Sequence, residues 1–246
     1  AVAYQAYYEH MPLRRSSLPQ GSQMQLYRDF RWGTLASFFV LDTRQYRTDQ
    51  PCGDQSGPAC DGMLDPNATP LGNMQEQWLL DGLGQSIARW NVIPQQIMMA
   101  RVDRLPGDAE MLGMDIWSGY EVARRRLMDF FATRRPANPI VLTGDIHTNW
   151  VNDLQVDYQD ENAPIVATEF VGTSISSGGD GTDTRDSTTG MLSENPWVKF
   201  FNAQRGYVRC TITDEQCVAD YKVLEYVTRR GSPISTRASF VVENGR

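Results

Sequence analysis

The chain has 246 residues, 41% of them hydrophobic, and a formal charge of -7. That is enough apolar material for a substantial core in a globular chain, and no apolar run approaches the ~18 residues of a membrane-spanning helix. The acidic balance argues against a nucleic-acid-binding surface, which needs clustered lysine and arginine.

In chain order, "TLASFFVLDTR" (34–44) is rich in branched and aromatic residues and is bounded by Gly33, which predicts a buried strand. "NMQEQWLLDGLGQSIARW" (73–90) sets Leu79, Leu83, Ile87 and Trp90 along one helical stripe, with Asn73 placed as N-cap. "VIPQQIMMA" (92–100) reads as a strand. "YEVARRRLMDFFATRR" (120–135) reads as a second helix with Ala123, Leu127, Phe130 and Phe131 inward and its arginines on a solvated face. "PIVLTG" (139–144) is the next strand. Strand, helix, strand, helix, strand implies crossover units and a partly parallel sheet covered by helices.

The last third changes character. "IVATEFVGTSI", "GYVRCTIT", "VADYKVLEYV" and "ASFVVE" are short strand candidates without intervening helices, expected to pair antiparallel, extending the sheet or forming a second one. Among them lies "SSGGDGTDTRDSTTG" (176–190), expected as a mobile loop near a cleft, with a phosphate cradle of backbone N–H groups or calcium binding through Asp180 and Asp183 as the alternatives. Cysteines fall as two close pairs, Cys52 with Cys60 and Cys210 with Cys217, which suggests two local disulfides in an exported protein, with buried free thiols in a cytosolic one as the alternative.

The chain contains only two histidines. One sits in "IVLTGDIHTNW" (140–150), where Asp145 and His147 follow the end of a predicted strand. Residues two apart on an extended segment project to the same side, and ligands of open α/β sheets bind at the carboxyl ends of strands. A carboxylate and an imidazole there suit a metal centre, although a hydrogen-bonded structural pair fits the same spacing. A three-histidine zinc site cannot be assembled from His10 and His147, so oxygen donors would dominate the shell and favour calcium, magnesium, manganese or iron over zinc. Arg44 and Arg47 follow another predicted strand end and suit bidentate phosphate contacts or ion pairs with nearby acids. Trp150 is expected to pack beneath the loop, and Asn149 to hydrogen-bond near it. No Gly-x-Ser-x-Gly elbow supports a serine hydrolase.

Five blocks, "AYYEHMPLR" (6–14), "VLDTRQYRTDQPC" (40–52), "LTGDIHTNWVNDL" (142–154), "ATEFVGTSISSGGDG" (167–181) and "RGYVRC" (205–210), run in order along nearly the whole chain. Together they resemble the PhoD-type alkaline phosphatases and phosphodiesterases. The resemblance implies an α/β (α+β) fold, a calcineurin-like metallophosphoesterase sandwich of mixed sheets flanked by helices. It implies hydrolysis of phosphomonoesters or phosphodiesters with iron and calcium, in a secreted, periplasmic or cell-surface protein. The cations of such enzymes lower the pKa of a bound water and clamp phosphoryl oxygens. Asp145 and His147 are carried over as metal-site and catalytic residues, His10 as a catalytic candidate, and Arg44 and Arg47 as substrate-binding residues.

Family members carry further ligand segments upstream of the Glu-His-Met-Pro block, at which this chain begins. The expectation is that residues 1–246 form the C-terminal portion of one catalytic domain, partnered by the N-terminal half of that domain and weakly active alone. The alternative is a non-catalytic extracellular fragment or phospho-ligand-binding module. Trp197 in "NPWVKFF" stands where related sequences more often carry histidine.

Overall fold

The computed structural model describes residues 1–160 and 162–245. In chain order the strands are β1 (Arg28–Trp32), β2 (Ala36–Val40), β3 (Trp90–Pro94), β4 (Pro139–Thr143), β5 (Asn149–Gln155), β6 (Ile165–Val171), β7 (Gly181–Thr182), β8 (Val198–Ile212), β9 (Gln216–Leu224) and β10 (Ile234–Glu243). The α-helices are α1 (Val2–His10), α2 (Asn73–Gly84), α3 (Glu121–Arg134) and α4 (Thr188–Glu194). β2, β3, β4 and β6 pair in parallel, with α2 and α3 in the connections from β2 to β3 and from β3 to β4. β1 closes one edge antiparallel, and the other runs from β6 through β5, β8 and β9 to β10.

Side-chain alternation distributes this sheet between two cores. Val92, Ile140 and Phe170 enter one cluster while their chain neighbours Ile93, Val141 and Val171 enter the other, as period-two projection requires. The second set meets Leu79 and Leu83 of α2 and Ala123, Leu127 and Phe131 of α3. The first set meets Cys217, Ala219 and Tyr221 of β9. Each fully buried side chain of this size contributes about 1.5–3 kcal/mol of transfer free energy.

The later strands, expected to extend the sheet or to form a second one, extend it along one continuous path that folds over itself. The reason lies in β8, whose 15 residues pair with β5 through Phe200, Phe201 and Asn202 and then with β9 from Arg205 onward. Gly206 sits at the changeover with φ 153°, where a Cβ would stand 1.9 Å from the Lys222 carbonyl oxygen, so only glycine fits. Two bonds fix the folded-over layer: Trp90 Nε1 donates to the Thr213 carbonyl at 2.7 Å and Tyr221 Oη to the Trp150 carbonyl at 2.5 Å.

Four local expectations are corrected. α2 stops at Gly84, because Gly82 and Gly84 weaken its last turn. Ile87 is then off the helix and 80% exposed, while Trp90 begins β3. Asn73 is the first helical residue rather than the cap, and Gly72 occupies the N-cap position at φ 71°. The arginine face of α3 is not wholly solvated: Arg124 is fully buried, bonded to Glu121 at 2.7 and 2.9 Å and to the carbonyls of Gln155 and Val156. Cys52 and Cys60 form a disulfide, whereas Cys210 and Cys217 are free thiols. Those two lie in diagonal register across β8 and β9, with Cys210 opposite Ala219 and Cys217 opposite Ile212. No described helix is long and apolar enough to cross a membrane.

Candidate functional site at the strand-end rim

Because β2, β3, β4 and β6 are parallel, their carboxyl ends share one edge of the sheet, the position at which such sheets bind ligands. Asp145 and His147 are exposed in the loop directly after β4. That loop is not extended as the spacing argument assumed. Both residues adopt left-handed backbone, with φ 65° and 57°, and Ile146 between them packs on the core. Aspartate and histidine tolerate this region better than most residues, and non-glycine residues held there cluster at functional sites. The loop is braced from below. Arg205 Nη1 donates to the His147 carbonyl at 2.5 Å, and the Gly172 N–H donates to the Thr143 carbonyl at 2.8 Å.

The loop after β2 supplies cations. Asp42 is buried and accepts the N–H groups of Arg44 and Gln45, each at 3.0 Å. Arg44 Nη1 pairs with Asp115 Oδ1 at 2.6 Å and its Nη2 with Asp145 Oδ2 at 3.3 Å. Arg47 Nη1 reaches the same Asp115 oxygen at 2.5 Å, and Gln50 Nε2 donates to it as well. Partial burial alone would push the Asp115 carboxyl up, but the bonds and charges of Arg44 and Arg47 outweigh it and hold the group below its usual range. Burial opposes ionisation of Arg44, yet its bonds to Asp115 and the charges of Asp115 and Asp145 leave its pKa raised.

Under the rim, Glu169 of β6 has no exposed surface. It accepts the N–H groups of Met99 and Ala100 at 2.7 and 3.0 Å, Thr143 Oγ1 at 2.7 Å and Asn152 Nδ2 at 2.9 Å. Asn149 ties the loop after β6 to the same floor, accepting the Thr173 N–H at 3.1 Å and donating to Asn202 Oδ1 at 3.0 Å. Trp150 is buried, as expected, edge-on to Phe201.

The structure thus brings together Arg44, Arg47, Asp145 and the His147 loop. His10 is the exposed last residue of α1, a helix with no buried residue, and no bond among the described residues joins it to the rim. Trp197 packs against the core, tilted on Tyr158 and donating to the Arg101 carbonyl at 2.6 Å. Asp180 and Asp183 are engaged within the protein. Asp180 accepts from Val227 and Thr228, and Asp183 accepts from Arg237 and Asn202, so the 176–190 loop is tied down rather than free. Among the described residues no group of three His, Cys, Asp or Glu side chains is arranged to hold a metal ion. A cavity of about 680 Å³ adjoins the rim through Gln45 and Tyr46, and no charged side chain lines it.

Asp115, Gln50, Arg205 and Glu169 were not singled out by sequence reasoning. Asp115 lies 71 residues from Arg44, beyond any spacing signal. Glu169 did sit within a conspicuous block, but nothing local marks it as a four-donor acceptor.

The strand ends of this mixed sheet thus carry an exposed carboxylate and imidazole in one loop and paired guanidinium groups in another, within an α/β protein. The model of the PhoD-like phosphatase family matches residues 1–221, and the chain belongs to that family. It is 53% identical over 243 residues to alkaline phosphatase D of Bacillus subtilis (strain 168), covering 99% of this chain and 42% of that protein. A solved structure described as "Structure of PhoD" superposes with a TM-score of 0.95 at 53% identity, over 99% of this chain and 47% of that one. The chain therefore spans less than half the length of these relatives.

Proposed function

We propose that this chain supplies part of the catalytic site of a metal-dependent phosphoric ester hydrolase acting on phosphomonoesters or phosphodiesters. The observation that carries the reading is the placement of Asp145 and His147, exposed and in left-handed backbone, at the carboxyl end of β4 beside Arg44. Family membership and the 53% identity to a protein named alkaline phosphatase D support it.

The donors fit part of a metal shell. Asp145 offers an oxygen held only by the 3.3 Å contact with Arg44, and the His147 imidazole has no bonded partner among the described residues. One oxygen and one nitrogen suit iron, calcium, manganese, magnesium or zinc, and the resemblance to the family favours iron and calcium. When bound, such cations polarise phosphoryl oxygens and make water a better nucleophile at neutral pH. Arg44 and Arg47 hold the ester's non-bridging oxygens, whose charge guanidinium groups match. Glu169 and Arg205 keep the rim rigid beneath them, so that donors face the ligand without rearrangement. His10 enters only through its place in a family-like block. An exported location belongs to the same reading, supported by the Cys52–Cys60 disulfide.

The test pairs turnover of chromogenic mono- and diesters with metal uptake, in the shortest polypeptide containing residues 1–246 that hydrolyses either substrate. Asp145→Ala and His147→Ala are each expected to lower turnover by at least about a hundredfold and to weaken metal binding. Unchanged turnover in both variants would overturn the proposal, and phosphate binding with no turnover in any polypeptide that contains residues 1–246 would favour a binding module.

A further inference from the structure

Asp115 carries an arrangement that an ordinary surface ion pair does not explain. A single carboxylate oxygen, Oδ1, receives Arg44 Nη1 at 2.6 Å, Arg47 Nη1 at 2.5 Å and the Gln50 amide. Two nitrogens bonded to one oxygen at these distances lie no more than about 5 Å apart. Like charges held that close repel one another, so they stay together only because a shared anion holds them.

We propose that Asp115 is a positioning residue that assembles Arg44 and Arg47 into a two-guanidinium clamp for a phosphoryl group. The inference rests on reading this rim as the phosphate-ester site, and it adds the group that builds the clamp. Three features support it.

First, the clamp has unused capacity. The bonds formed involve Nη1 and Nη2 of Arg44 and Nη1 of Arg47, while each guanidinium has five N–H donors.

Second, both supporting segments are fixed. The Thr48 N–H donates to the Thr69 carbonyl at 3.0 Å, and Tyr120 Oη donates to the Thr48 carbonyl at 2.8 Å. On the Asp115 side, Trp117 is buried and its N–H reaches the Met98 carbonyl at 3.2 Å. Donors on fixed loops lose little freedom when an anion arrives.

Third, the charges balance only without ligand. Two guanidinium groups face Asp115 and Asp145, so engaging the Asp145 carboxylate elsewhere leaves net positive charge at the clamp. The 3.3 Å contact between Arg44 and Asp145 is the longer of the two Arg44 pairs, and it is the one an incoming phosphoryl oxygen would replace.

The hypothesis fixes the sign of a mutational effect. If Asp115 contributed only its negative charge, removing it would strengthen anion binding, because the site would become more positive. If it positions the arginines, removing it lets them separate, and binding weakens.

The experiment measures inorganic phosphate affinity by 31P NMR titration of the 246-residue chain in metal-chelated buffer. Wild type is compared with Asp115→Asn, Asp115→Glu, Arg47→Ala and Asp49→Asn; thermal melts confirm that each is folded. Asp49 is an exposed carboxylate without a bonded partner among the described residues, so its variant reports charge removal alone.

Asp115→Asn and Arg47→Ala are expected to raise the phosphate Kd by about tenfold, as loss of charge-assisted bonds does. Asp115→Glu should recover part of the loss, and Asp49→Asn should leave affinity equal or tighter. Asp115→Asn binding as tightly as wild type or more so would overturn the proposal, as would wild type with no measurable phosphate binding. The failures are separable: weakened phosphate binding in Asp115→Asn, together with ester hydrolysis that survives Asp145→Ala and His147→Ala, would keep the clamp and remove the hydrolase reading.

Discussion

Thr143 Oγ1 donates to Glu169 Oε1 at 2.7 Å, joining the last residue of β4, two positions before Asp145, to a fully buried carboxylate. The same carboxylate holds Met99, Ala100 and Asn152, so one side chain gathers the end of β4, the middle of β5 and the chain after β3. Glu169→Ala leaves four buried donors without an acceptor and should cost at least about 3 kcal/mol in urea unfolding.

Burial pushes the Glu169 carboxyl pKa up, and the four donors only partly oppose it. A raised pKa means that the native state binds this proton more tightly than the unfolded chain does. The contribution is therefore full below the unfolded value of about 4.3 and is lost as pH rises through the elevated native value. Unfolding free energies measured from pH 4 to 8 should show this fall in wild type. Glu169→Gln, which cannot titrate, should flatten it.

Glu121 behaves in the opposite sense. Burial acts to raise its pKa, but the bonds and charges of Arg124 and Arg125 win and lower it. Its contribution is present above about pH 4.3 and is lost as pH falls through the depressed native value, adding to acid unfolding. Arg124→Ala at neutral pH takes two bonds from the buried Glu121 carboxylate and leaves it paired with Arg125 alone, and is expected to destabilise by about 3 kcal/mol. A melt within error of wild type would contradict the structural role assigned to the pair.

The cysteines give a chemical count. Unreduced, denatured protein should react with two equivalents of a thiol reagent, at Cys210 and Cys217. In the native protein Cys210 should react first, because it is half-buried while Cys217 is fully buried, and because the bond between the two thiols lowers the Cys210 pKa. Reducing Cys52–Cys60 should cost about 2–3 kcal/mol on the chain-entropy model.

The parallel strands were legible in the sequence because their branched and aromatic runs are buried on both faces, as in the four fully buried residues that open β3. β5 was not, since "NWVNDLQ" places Asn149 and Asn152 inside, where they bond to Asn202 and Glu169 rather than to solvent. β1 hides for a different reason: "RDFRW" is an exposed edge strand whose charges obscure any apolar face. At the site, Asp145 and His147 were visible from their place after an apolar run, although the alternation argument used for them fails against their left-handed backbone. The pairing of Arg44 and Arg47 with Asp115 was invisible, because only the folded loops bring those segments together.

The central claim is that Asp145 and His147 hold a cation together, and anomalous X-ray diffraction from crystals grown with iron and calcium tests it most directly. The account expects a metal peak about 2.0–2.6 Å from both an Asp145 carboxylate oxygen and a His147 ring nitrogen, with Arg44 turned away from Asp145. Metal bound elsewhere, with the Arg44–Asp145 contact intact and His147 unligated, would contradict it.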